Sequence, residues 1–154
     1  KSLKYIILYL CNMNKTMKIE YKRVVDEFNF WKLYFHTWNF NKAKADRFSE
    51  FELDSIACIM SGDYYKSPVK SYQRKLLSDR LNALGYKTTM ANIHTRIVKP
   101  LLKAGIFYKS EDDLVNGEYS INEQLKKLQG YIKTQLKEKG ELPIDILYSI
   151  NIKK

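Results

Sequence analysis

The stretch LNALGYKTTMANIHTRIVKPLLKAGIF, Leu81 to Phe107, decides how the chain is read. Gly85 accepts a positive φ at little steric cost and so stops a preceding helix. A short turn, Gly85-Tyr86-Lys87, leads to Thr88 and Thr89, either of which suits the N-cap of a following helix. Ile93, Ile97 and Leu101, with Met90 as a fourth candidate, recur at helical spacing and give that helix an inward face. Pro100 falls inside the pattern and has no N–H, which predicts a kink or tightening near Arg96. Gly105 ends the helix, and Ile106-Phe107-Tyr108 reads as a strand.

Working upstream, Ser67-Pro68 opens a helix with proline near its first position, and Tyr72, Leu76, Leu77, Leu81 and Leu84 form its apolar stripe. Before it, Ser49 followed by Glu50 and Glu52 is an N-cap with an acidic first turn. Phe51, Ile56, Ile59 and Met60 are the apolar positions of that helix, and Gly62 ends it. Downstream, Leu114 to Ile121, with Asn116-Gly117 inside it, reads as a turn and a returning strand. Asn122 to Glu138 carries Leu125, Leu128, Ile132 and Leu136, an amphipathic helix. Leu142 to Ile152 is short and apolar, a docking strand or an irregular tail.

The segment 18–40 is crowded with rings: Tyr21, Phe28, Phe30, Trp31, Tyr34, Phe35, Trp38 and Phe40. Val24, Phe28, Trp31, Phe35 and Trp38 fall on one face of a helix, while Ile19–Val25 equally fits a strand. So many rings exceed what one small core usually takes in. Phe28, Trp31, Phe35 and Trp38 are therefore candidates for a homodimer or protein-partner contact, beside the plainer reading of a helix packed over the main domain. The opening KSLKYIILYLCN has a six-residue apolar run, Tyr5 to Leu10. A membrane span needs about 20 such residues, and the small-residue cleavage site of a signal peptide is missing. It reads either as an extension ahead of a start at Met13 or Met17, or as an added strand.

Helix, helix, tight turn, helix and hairpin is an order that resembles the winged helix-turn-helix family. The ending Leu101-Leu102-Lys103-Ala104-Gly105-Ile106 is similar to the family's passage from its third helix into the wing. The resemblance covers about half the chain. It implies a mainly α fold with a small β-hairpin (α+β), extended at both ends. It also implies double-stranded DNA binding through a recognition helix at 89–103, although winged helices also serve as protein-interaction modules. The domains would be a non-native or disordered extension at 1–16, an aromatic segment at 17–48, the winged helix at 49–122, and a C-terminal helix and tail at 123–154.

Charge gives an independent indication. The 154 residues include 27 Lys and Arg against 17 Asp and Glu, a net charge of +10, and an apolar share of 45% that is ample for a core. A basic excess of this size favours polyanions, nucleic acid or an anionic membrane surface. From Tyr64 to Lys109 there are ten basic residues and one acidic residue, Asp79, a surplus of nine. Any one lysine is ordinarily a solvated face, but the whole segment points to nucleic acid. The basic residues are spread over two helices and a turn, not one basic amphipathic helix, which ranks a membrane surface lower.

The major groove admits a helix, and Thr89, Asn92, Thr95, Arg96 and Lys99 lie off the apolar stripe. Asn92 suits a bidentate pair with adenine and Arg96 one with guanine. Thr88, Thr89 and the first amides of the helix suit a phosphate, with Lys70, Arg74, Lys75 and Lys87 adding affinity without sequence choice and His94 a further candidate. The wing departs from the family pattern. Glu111, Asp112, Asp113 and Glu118 would be repelled by phosphate, so the third helix binds alone or the acidic tip meets a protein.

Catalysis finds no support. Two histidines, His36 and His94, and two cysteines, Cys11 and Cys58, come with no phosphate loop and no metal-ligand spacing. Both cysteines read as reduced thiols, with Cys58 in the core. Glu111-Asp112-Asp113 fits no calcium loop. No enzyme, cofactor or metal is expected. The Lys-, Asn- and Tyr-rich composition is of the kind found in phage or mobile elements of AT-rich genomes. The expected role is a transcription or replication regulator in the cytoplasm, the host's if phage-encoded. The alternative is a structural or adaptor protein of a virion or larger assembly, with segment 28–40 as its interface.

Overall fold

The computed structural model of the chain describes residues 6–11, 16–62, 71–109 and 119–151. In chain order the elements are β1 (Ile6–Cys11), β2 (Thr16–Val25), α1 (Glu27–Trp38), α2 (Glu50–Ser61), α3 (Ser71–Ala83), α4 (Met90–Ile93), α5 (Lys99–Lys103), β3 (Phe107–Tyr108), β4 (Ser120–Ile121), α6 (Glu123–Lys139) and β5 (Leu142–Asn151). The described residues are mainly helical with antiparallel strands, an α+β arrangement. The chain divides into two units, Lys1–Asp26 with Thr134–Lys154, and Glu27–Lys133. α6 begins in the second and ends in the first.

In the first unit β2 is the middle strand of an antiparallel sheet ordered β1-β2-β5. The register pairs Ile6 with Tyr21 on one side of β2 and Val25 with Leu142 on the other. Pro143 has no N–H for a ladder, and it falls in β5, an outer strand of this sheet, where proline is tolerated. Of the two readings of Ile19–Val25, the strand is the one found, and α1 starts only at Glu27, so Val24 leaves the helical series. The closing stretch is likewise a strand, through Asn151. The sheet content thus exceeds the single hairpin expected, because β2 and β5 come from opposite ends of the chain and carry no local pairing signal.

In the second unit α2 is the centre of the core, with every residue from Leu53 to Met60 buried, as suits a helix apolar nearly all round. Ser49 starts it with a full capping box. Its Oγ accepts the Glu52 N–H at 3.2 Å, and its own N–H donates to Glu52 Oε1 at 3.0 Å. At the other end, the buried Gln129 of α6 donates from Nε2 to the Met60 carbonyl at 2.7 Å, satisfying a group the helix leaves without a partner. α1 packs along α2 and buries Trp31 and Phe35 completely. Phe35 meets Trp38 at 4.9 Å and the edge of Phe48 at 6.4 Å between ring centroids.

α3 and α5 end in the same motif. Gly85 (φ 100°) donates to the Asn82 carbonyl at 3.0 Å and Tyr86 to that of Leu81 at 3.2 Å. Gly105 (φ 76°) donates to the Leu102 carbonyl at 3.2 Å and Ile106 to that of Leu101 at 3.0 Å. These paired bonds close the last turn and need a left-handed residue, which is why glycine stands at both places. β3 and β4 then pair antiparallel, Phe107 with Ile121 and Tyr108 with Ser120. Asn116-Gly117, the acidic residues Glu111, Asp112, Asp113 and Glu118, and the expected helix start Ser67-Pro68 lie outside the described residues.

Candidate nucleic-acid interface

From Met90 to Lys103 the backbone follows one helical path, α4, a π turn at His94–Val98, and α5. The π turn is the response to Pro100. Proline offers no N–H to the Arg96 carbonyl, and the register has already slipped by one residue ahead of it, with the Lys99 N–H bonded to the His94 carbonyl. The tightening expected near Arg96 is therefore a widening. The inner face is sealed, with Ile93, Ile97, Val98 and Leu101 all buried. Met90 is exposed and does not belong to it. Thr89, Asn92, Thr95, Arg96 and Lys99 are all exposed on the other side.

The approach to this helix is fixed by side chains. Asn82 Oδ1 accepts the Thr88 N–H at 2.9 Å, and Asn82 Nδ2 and Ser78 Oγ both donate to the Thr88 carbonyl at 3.1 Å. Thr88 is only 6% exposed, so it does not offer its hydroxyl to a surface ligand, and that expectation is corrected. Thr89 takes the N-cap position with extended backbone, and its side chain makes no cap hydrogen bond.

Tyr86 anchors the same turn. Its hydroxyl donates to Asp54 Oδ2, and Lys32 Nζ reaches Asp54 Oδ1 at 2.9 Å and Glu50 Oε2 at 3.1 Å. Burial, and then the Asp54 bond, push the Tyr86 phenol up to about 12. The Asp54 bond holds the Lys32 ammonium above its ordinary value against the opposing effect of burial. The Phe51 ring meets Tyr86 edge-on at 5.0 Å and carries the Arg96 guanidinium 3.9 Å from its centroid. Arg96 Nη1 also donates to the Lys87 carbonyl at 3.4 Å. Arg96 is thus exposed and at the same time aimed by the turn and by α2.

The remaining expected contacts divide. Lys87 is exposed. Lys75 is exposed and pairs with Asp79 at 2.9 Å. Arg74 is half-buried, with an Nε that has no hydrogen-bond partner among the described residues. His94 is half-buried, and Lys70 lies outside the described residues. In the aromatic segment, Trp31 and Phe35 are fully buried inside the second unit, which withdraws them from any partner surface. Phe28 and Trp38 are half-buried, whereas Phe40 is 58% exposed.

Three cations join this face that the sequence pattern did not single out. A groove of about 490 Å³ lies between residues 42–48 and the helical path, lined by Lys42, Arg47, Phe48, Thr95, Lys99 and Lys103. The signal for it was the run Lys42-Ala43-Lys44-Ala45-Asp46-Arg47, but nothing local connects that run to Lys103. Elsewhere, burial pushes the Cys58 thiol up to about 11, so it stays protonated in the core. Among the described residues no three His, Cys, Asp or Glu side chains come together as a metal site, and no helix is long and apolar enough to cross a membrane.

No protein-family model, curated protein or solved structure matches the chain.

Proposed function

We propose that the chain is a non-enzymatic double-stranded DNA-binding protein with a winged helix-turn-helix at 49–122, a transcription or replication regulator of phage or mobile-element type. The observation that carries this reading is the two-sidedness of the path 89–103. Its inner face is closed by apolar burial, and its exposed face holds Asn92, Thr95, Arg96 and Lys99 with no acidic residue among them. A helix of this length, about 20 Å, enters a major groove about 12 Å wide with its exposed side chains toward the base edges. Asn92 and Arg96 are the base-reading pair, with Arg96 leaving Phe51 for a guanine edge. Lys87, Thr89 and Lys99 serve phosphates, which fix register without reading sequence. The burial of Trp31 and Phe35 weakens the adaptor alternative, because the two rings most central to that interface are inaccessible.

The test is a titration of duplex DNA across a salt series. The affinity should fall with a log–log slope of about −0.9 per neutralised phosphate. The Arg96→Glu/Lys99→Glu variant should lose binding. Equal binding by wild type and variant, or an affinity indifferent to salt, overturns the reading.

A further inference from the structure

We infer that the groove between residues 42–48 and the path Thr95–Ala104 is a phosphate-binding site. Lys42 and Arg47 line one wall, and Lys99 and Lys103 the other. Among the described residues, none of these four cations forms an ion pair. Like charges gathered in one cleft repel, and an anion entering the cleft removes that cost. Two carboxylates also line the groove, Asp46 and Glu52, but Glu52 Oε1 is already engaged by the Ser49 N–H at 3.0 Å. Four cations against these two carboxylates leave the lining with a surplus of two positive charges.

The loop wall is built to hold its cations in place. Asn39 clamps it with two bonds to the Phe48 backbone, accepting from its N–H at 2.7 Å and donating to its carbonyl at 3.1 Å. Lys42 Nζ lies 4.4 Å from the Phe48 ring centroid and 5.5 Å from that of Trp38, a cation–π seat. Arg47 Nε donates to the Lys42 carbonyl at 3.1 Å, which orients the guanidinium and leaves its terminal amino groups for a ligand. Thr95 adds a neutral hydroxyl. Phe48, Pro100 and Ala104 supply apolar surface for a sugar. The volume, about 490 Å³, falls within the range of small-molecule sites, about 300–1,000 Å³.

Two sources offer this chemistry, a nucleic-acid backbone and a free phosphorylated ligand. The first rests on the DNA-binding reading, since Lys99 belongs to both the groove and the outer face of the helix. The second does not.

The experiment compares the full chain with Lys42→Ala/Arg47→Ala and, from the opposite wall, Lys103→Gln. Titration with inorganic pyrophosphate is followed by backbone amide shifts. In wild type the shifts should cluster at 42–48 and 99–104, and both variants should reduce them. Binding to duplex DNA is followed across salt. Removal of two phosphate contacts should make the log–log slope shallower by about 1.8 for the double variant. A changed slope assigns the groove to the DNA backbone. An unchanged slope with pyrophosphate shifts assigns it to a free ligand, and those shifts persist even if wild type ignores DNA. No shifts in wild type together with no change of slope in either variant overturns the phosphate site.

Discussion

α2 and the path Met90–Lys103 are helices of similar length used in opposite ways. α2 carries Glu50, Glu52 and Asp54 and no basic residue, while the path carries Arg96, Lys99 and Lys103 and no acidic one. Every acid of α2 is engaged: Glu52 in the capping box, Glu50 with Lys32, and Asp54 with Lys32 and Tyr86. The cations of the path have no acidic partner among the described residues. A helix whose acids all have a partner nearby is scaffold. One whose charges are left open to water and aimed by neighbours, as Phe51 aims Arg96, is ready for a ligand.

The contrast breaks most severely at the core. Trp31→Ala removes a fully buried ring from between α1 and α2 and should cost about 3–5 kcal/mol. Chemical denaturation followed by far-ultraviolet circular dichroism measures it. A loss within about 0.5 kcal/mol, the scale of an ordinary surface change, would mean that α2 is not the packed centre. Gln129→Met should cost less, about 1–3 kcal/mol, because it leaves the buried Met60 carbonyl without its donor. An unchanged midpoint in the same assay would remove α6 from the role of capping α2.

Tyr86 links the two helices, and its effect is smaller and depends on pH. The folded chain holds the phenolic proton up to about 12, against an ordinary value of 10.0. Between those values the unfolded chain binds fewer protons than the folded one, so stability falls as pH rises through that window. Tyr86→Phe should cost about 1 kcal/mol at neutral pH through the lost hydrogen bond. It should also flatten the alkaline decline, read from denaturation midpoints at pH 9, 10, 11 and 12. An identical alkaline profile in the variant would mean that neither burial nor the Asp54 contact holds the proton.

What was legible in the sequence was local. Ser49 with Glu52, Gly85 and Gly105 each announce a helix end through the chemistry of one or two residues, and each is found in that role. The spacing of Ile93, Ile97 and Leu101 likewise set the inner face. What escaped was long-range. Thr88 looks like a free hydroxyl until Asn82 and Ser78 close over its backbone. The aromatic run looks like an interface until α2 covers Trp31 and Phe35. Lys42 and Arg47 join Lys99 and Lys103 only because two distant segments meet. Pro100 signals a disturbance, but whether a helix tightens or widens around a proline depends on which carbonyl its neighbours can reach, and spacing does not record that.

The smallest effect sharpens the comparison most. Lys99→Ala removes an exposed ammonium without an ion pair among the described residues, so the stability change should stay within about 0.5 kcal/mol. The same substitution should make the salt dependence of duplex DNA binding shallower by about 0.9, one phosphate contact. A stability loss like that of the Trp31 or Gln129 variant would make Lys99 part of the scaffold and end the distinction between the two helices. Neutral stability with an unchanged salt slope would leave the outer face intact but put the ligand elsewhere. Neutral stability with the shallower slope is the outcome expected of a helix whose inner face folds the chain and whose outer face is free to bind.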